Sequence, residues 1–161
     1  LEPIAANADL LIDTTDLTPR ALRDMITSRL VQQRDGLSVL FESFAFKRGV
    51  PTDADFVFDA RALPNPYWQD ELRSQTGLDT EVIQFLEKDA RCLAFFAKLK
   101  DFIAKVLCDF DQSDRSYMTI AIGCTGGQHR SVYLTEKLHR DLITQFPAAQ
   151  IRHRDLQEPG S

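Results

Sequence analysis

An α/β domain, layered around a mainly parallel sheet with flanking helices, is predicted by two observations. Apolar β-type runs at Leu37–Phe46, Phe56–Phe58 and Tyr117–Ile122 are interleaved with segments of helical periodicity, the order that a layered sheet requires. The run Ile122-Gly123-Cys124-Thr125-Gly126-Gly127-Gln128-His129-Arg130-Ser131 then joins a β-like segment to a helix-like one through three glycines and a basic residue. That is the make-up of an anion-binding loop.

The elements follow in order. Ala8–Thr14 is expected to be a short buried strand, and Thr18-Pro19 opens an amphipathic helix to about Val31, with Thr18 as N-cap and proline at the first helical position. Polar Gln32–Gly36 reads as a linker, dividing 1–34 from 35–161. Leu37–Phe46 and Phe56–Phe58 have strand character. Leu63–Trp68 holds two prolines, which remove donors and fix φ, so it must be a loop. Asp79–Glu87 and Cys92–Phe110 are helical, the second built on Leu93, Phe96, Leu99, Ile103 and Leu107. Tyr117–Ile122 is a buried strand, Ser131–Phe146 a helix, and Ala149-Gln150-Ile151 begins a final strand. There is no internal repeat or low-complexity stretch.

Composition narrows the function classes. The 161 residues are 43% hydrophobic and 27% charged, enough for one globular domain with a sizeable core. No apolar run approaches the roughly 20 residues of a membrane span. Leu1-Glu2-Pro3 shows neither an initiator Met nor a signal peptide, so a piece of a longer, cytoplasmic protein is expected. Cys92, Cys108 and Cys124 have no paired metal-ligand spacing, and an odd number suits a reduced compartment; no metal is expected. A net charge of -5 argues against generalised nucleic-acid binding, although a local basic face is compatible with it.

Ligands of parallel sheets sit beyond the carboxyl ends of the strands. Three segments are expected to meet there: the glycine loop, Phe44–Gly49 after the first strand, and Asp59–Trp68 after the second. They hold Lys47, Arg48, Arg61, His129 and Arg130, with Asp59, Asn65 and Tyr67. Cations suit a phosphorylated ligand or an RNA backbone, and the carboxylate and amide suit hydroxyls or an amine. Arg61 stands equally as a salt-bridge partner of Asp59. Trp68 and the phenylalanines are expected in the core or a pocket wall, and His139 on a helix surface. Arg152-His153-Arg154 alternates like a strand with both arginines on one face.

The loop has an enzymatic alternative. Cys124, five intervening residues, Arg130 and Ser131 have the spacing of the cysteine-dependent phosphatase loop, where a thiolate attacks phosphorus and the arginine clamps the oxygens. Asp59 or Asp79 would be the acid. Gly123 stands where that class has His, and Cys124 as a small packing residue is the simpler account.

The stretch Ala121–Tyr133 resembles the signature of the RapZ family of bacterial nucleotide-binding proteins and RNase adapters. Phe41–Pro51, Asp53–Arg61, Leu63–Pro66, Thr76-Gly77 and Arg152-His153-Arg154 resemble the same family in the same order. The resemblance implies that 35–161 form its C-terminal domain, similar to a phosphofructokinase-like subdomain, and that 1–34 are the last strand and helix of a P-loop domain. ATP or GTP would belong to that other domain, so no cofactor is implied within this chain. It also implies a non-catalytic sensor that binds glucosamine-6-phosphate and small regulatory RNA, presents the RNA to RNase E, and self-associates. Cys124, Thr125, Gly126, Gly127, His129, Arg130 and Ser131, with Asn65, Tyr67 and Asp59, would then hold the sugar phosphate. Lys47, Arg48, Arg61, Arg130, Arg152 and Arg154 would meet RNA. The chain departs from RNA-binding members at Tyr67, where they have His, at Gln128, where they have Lys, and in its non-basic tail.

Overall fold

The computed structural model describes residues 18, 19, 22, 23, 37–113 and 115–156. The chain divides into two units, Leu1–Arg34 and Asp35–Ser161. In the first, Pro19, Leu22 and Arg23 are helical, and the Leu22 N–H donates to the Thr18 carbonyl at 2.9 Å. This is the opening turn expected of Thr-Pro. The strand expected at Ala8–Thr14 and the rest of that helix lie outside the described residues.

Among its described residues the second unit contains four strands, β1 (Ser38–Ala45), β2 (Phe56–Asp59), β3 (Tyr117–Cys124) and β4 (Gln150–His153). They form one sheet in the order β2-β3-β1-β4, and every pairing is parallel. The central strands pair in register from Ser38 with Tyr117 to Ala45 with Cys124. Both are buried along almost their whole length, Ser38, Glu42 and Ser43 of β1 included, whereas β2 and β4 alternate at the edges, as central and edge strands of a parallel sheet do.

Among the described residues three α-helices accompany the sheet, α1 (Thr80–Glu87), α2 (Ala90–Asp111) and α3 (Arg130–Leu142), with short 3-10 turns at Phe46–Arg48 and Pro66–Trp68. The Asp89 carboxylate accepts the Arg91 N–H at 2.8 Å and starts α2. Paired parallel residues share a face, so Val39, Phe41, Met118 and Ile120 enter one core with Phe96, Leu99, Ile103, Leu107, Leu134 and Leu138. The stripe of α2 starts at Cys92 and not at Leu93, which is exposed. One residue is about 100° of helix rotation, enough to turn Leu93 away from the sheet.

The strands end at Ala45, Asp59, Cys124 and His153, which places 46–48, 60–68, 125–129 and 154–155 along one edge. That edge carries the candidate site. Arg154 lies in the turn after β4, so the expected strand face shared by Arg152 and Arg154 is not formed. His139 is half-buried on α3, partly at the surface as expected; its ring meets Phe41 edge-on at 6.2 Å, and its Nε2 donates to the Ala149 carbonyl at 3.3 Å. Among the described residues no helix is long and apolar enough to cross a membrane.

Candidate functional site

Backbone geometry explains the glycines around the loop. A side chain at Gly123 would collide with the Phe44 and Phe46 rings. Gly127 has φ 71°, and a Cβ there would press on Ala45 and Asp155 at 3.0–3.1 Å. Gly126 faces open space. Among the described residues, the N–H groups of Gly126, Gly127, Gln128 and His129 have no backbone acceptor, and α3 begins at once with its own free N–H groups. The result is a row of donors on the positive end of a helix dipole, suited to an anion.

Arg130 is the first helical residue, and it is 4% exposed. Nη1 donates to the carbonyls of Arg61 at 2.9 Å and Leu63 at 3.0 Å, and Nη2 donates to Thr125 Oγ1 at 3.4 Å. Nε is buried with no partner among the described residues. Burial pulls the guanidinium pKa below its usual value, against the fields of Cys124, Asp59 and Cys92. Of these, the Asp59 carboxylate is already engaged by Arg61 at 2.7 Å. A buried cation whose acidic neighbour is committed elsewhere calls for an external anion.

The neighbouring segment is latched to the loop. The Gly77 N–H donates to the Gln128 carbonyl at 2.8 Å, and the His129 Nε2–H donates to the Leu72 carbonyl at 3.1 Å. Burial lowers the His129 pKa, so the ring is neutral at pH 7. Cys124 is 2% exposed, and its sulfur lies 3.0 Å from Ser131 Oγ. It packs in the main core cluster.

A cavity of about 410 Å³ opens beside these groups. The loop lines it with Cys124, Thr125, Gly126, Gln128, His129 and Arg130, and the preceding segments with Lys47, Asn65, Tyr67, Trp68 and Arg73. Hydrogen bonds between residues close in the chain brace that second set. Asn65 Oδ1 accepts the Tyr67 N–H at 3.3 Å, the Trp68 N–H donates to the Asn65 carbonyl at 3.2 Å, and Arg73 Nε donates to the Tyr67 carbonyl at 3.2 Å. Trp68 is 75% exposed and meets Tyr67 edge-on at 5.8 Å. It belongs to the pocket wall and not to the core. The Arg73 guanidinium lies 5.1 Å from the Tyr67 ring centroid.

The pocket thus brings together Lys47, Asn65, Tyr67, Cys124, Thr125, Gly126, His129 and Arg130 from the expected set. Asp59, Arg61, Gly127 and Ser131 do not line it. Asp59 and Arg61 form a fork-on-fork pair, with Asp59 held below its usual pKa by the Arg61 side chain, and Arg61 stacks 3.8 Å over Phe46. Arg152 pairs with buried Glu42 at 2.8 Å, and Arg154 with buried Asp155 at 2.9 Å. These two arginines line a separate open groove beside Thr52 and Asp53. Among the described residues no cluster of His, Cys, Asp or Glu is placed to hold a metal.

Two further residues, Arg73 and Asp155, carry no signal in the sequence. Arg73 stands alone in a polar stretch, and nothing in its spacing marks it; Asp155 looks like any acid near a tail.

Residues 37–157 match the family described as the RapZ C-terminal domain. Curated relatives named "nucleotide-binding protein" include one from Pseudomonas putida, 52% identical over 97% of this chain and 55% of its own length. One from Saccharophagus degradans is 48% identical over 100% and 56%, and one from Cellvibrio japonicus is 47% identical over 98% and 54%. The chain spans about half the length of these relatives.

Proposed function

The chain belongs to the RapZ family through its C-terminal domain, and on that premise we propose that the pocket beside the glycine loop holds a phosphorylated amino sugar, glucosamine-6-phosphate, without turning it over. The observation that carries this is Arg130, a buried guanidinium with a free Nε beside a row of unpaired N–H groups. Phosphate fills that need, because it accepts several hydrogen bonds and supplies the missing negative charge. The sugar then extends toward Asn65, Tyr67 and Gln128, whose amides and hydroxyl match ring hydroxyls and the amine.

Lys47 at the pocket edge and half-exposed Arg48 beside it form the rim on which a small regulatory RNA rests. The domain is then a sensor that couples sugar-phosphate supply to presentation of RNA for RNase processing. Arg152 and Arg154 contribute less to that rim, since both hydrogen-bond buried carboxylates, at 2.8 and 2.9 Å, whereas Arg48 stands 3.8 Å from Asp155.

A thermal-shift series with glucosamine-6-phosphate, glucose-6-phosphate, glucosamine and inorganic phosphate tests the sugar-phosphate site. Stabilisation should be greatest with the first. No shift at millimolar glucosamine-6-phosphate would sink the proposal. For RNA, the Lys47→Ala variant should lower the salt dependence of binding by about one counterion.

A further inference from the structure

A buried acid packs against this anion-seeking loop. Asp155 is 6% exposed, and a Cβ added at Gly127 would lie 3.1 Å from the Asp155 Cβ. A carboxylate beside a phosphate site would oppose binding if left bare. Here it is neutralised: Oδ2 accepts from Arg154 Nε at 3.0 Å and Nη2 at 2.9 Å, and Arg48 lies 3.8 Å from Oδ1.

The same Oδ2 accepts the backbone N–H of Ala45 at 2.7 Å, at the last residue of β1. The Asp155 carbonyl accepts Gln128 Nε2 at 2.8 Å. Asp155 therefore ties three chain segments at one point: the end of β1, the turn after β4 and the loop itself. The segment after β1 is also linked to the loop, through the Lys47 N–H and the Thr125 carbonyl at 3.4 Å.

We propose that Asp155 is the positioning residue of the glycine loop: its carboxylate fixes the end of β1 at Ala45, beside which Gly127 turns, and so keeps the row of N–H groups in the arrangement that receives phosphate. The role rests on the phosphate site proposed above. Asp155 is absent from the pocket lining; its carboxylate acts through the Ala45 N–H, while the bond to Gln128 is made by its backbone carbonyl and survives substitution.

The test compares Asp155→Ala and Asp155→Asn with the wild-type chain, using amide hydrogen exchange at 125–129 and affinity for inorganic phosphate and glucosamine-6-phosphate. The asparagine keeps an acceptor for the Ala45 N–H. Asp155→Ala should speed exchange of the loop amides while α2 amides stay protected, and should weaken both ligands at least about tenfold; Asp155→Asn should restore most of both. A folded Asp155→Ala chain whose loop amides exchange at the wild-type rate overturns the assignment. If wild-type protein binds neither probe, the phosphate site itself fails, and the exchange comparison still decides the role of Asp155.

Discussion

Arg130 Nη1 lies 2.9 Å from the carbonyl oxygen of Arg61, 69 residues earlier in the chain, so one guanidinium braces the turn after β2 against the loop after β3. The same residue lines the pocket. Arg130→Lys keeps the charge but cannot span the carbonyls of Arg61 and Leu63 together with Thr125. It should cost about 2–4 kcal/mol of stability, since the buried Leu63 carbonyl and the partly buried Arg61 carbonyl lose their donor, and should abolish stabilisation by glucosamine-6-phosphate. Urea titration with and without ligand measures both.

His129 makes a pH prediction. Burial is the largest influence on its ring and lowers the pKa from the ordinary 6.5. The unfolded chain therefore binds the proton more readily, and this residue's contribution to stability falls as pH drops through 6.5 toward the lower native value, then levels off. The difference in unfolding free energy between the wild type and His129→Gln should change across that window and stay flat above about pH 7.5. A difference independent of pH would contradict the assignment.

Gly77 is fixed by contact, not by backbone dihedral. An added Cβ would run into the His129 carbonyl, the Tyr133 N–H and the Val132 side chain, and the first two are backbone atoms of the entry to α3. Gly77→Ala should destabilise the domain by about 1–3 kcal/mol and loosen the loop. Denaturant unfolding gives the first quantity, and hydrogen exchange of the Gln128 and His129 amides gives the second.

The sheet and the loop are legible in the sequence because they rest on local signals. Tyr117–Ile122 is nearly all apolar or β-branched, and the glycines at 123, 126 and 127 sit where a strand turns into a helix. Boundaries shift where tertiary contacts decide: β3 extends to Cys124 because Ala45 pairs with it. What the sequence hides depends on partners far apart in the chain. Asp155 meets Ala45 across 110 positions, and Arg130 meets Leu63 across 67. No spacing rule reports such pairs, which form only once the strands are aligned. Leu93 is a related case, since Cys92 fits the same helical period equally well and only the packed sheet decides between them.

Cys124 separates a binding site from a phosphatase. Its sulfur is buried against Ser131 Oγ at 3.0 Å, and the candidate acid Asp59 is held as a carboxylate by Arg61, so it has no proton to give a leaving group at neutral pH. Wild type and Cys124→Ser should show equal, negligible aryl-phosphate hydrolysis and similar affinity for glucosamine-6-phosphate. Turnover lost in the serine variant would establish the enzyme instead.

Trp68 is the sole tryptophan of the chain and stands exposed on the pocket wall, so its fluorescence reports on that wall alone. A phosphate in the loop leaves the indole in water, whereas a sugar ring extending from it covers the indole face and excludes solvent. Glucosamine-6-phosphate should therefore shift the emission to the blue, and inorganic phosphate should not. Trp68→Ala should weaken the sugar phosphate about threefold to tenfold, the worth of one ring contact, and leave inorganic phosphate unchanged. Equal losses for the two ligands would place Trp68 in support of the loop and not in contact with the sugar.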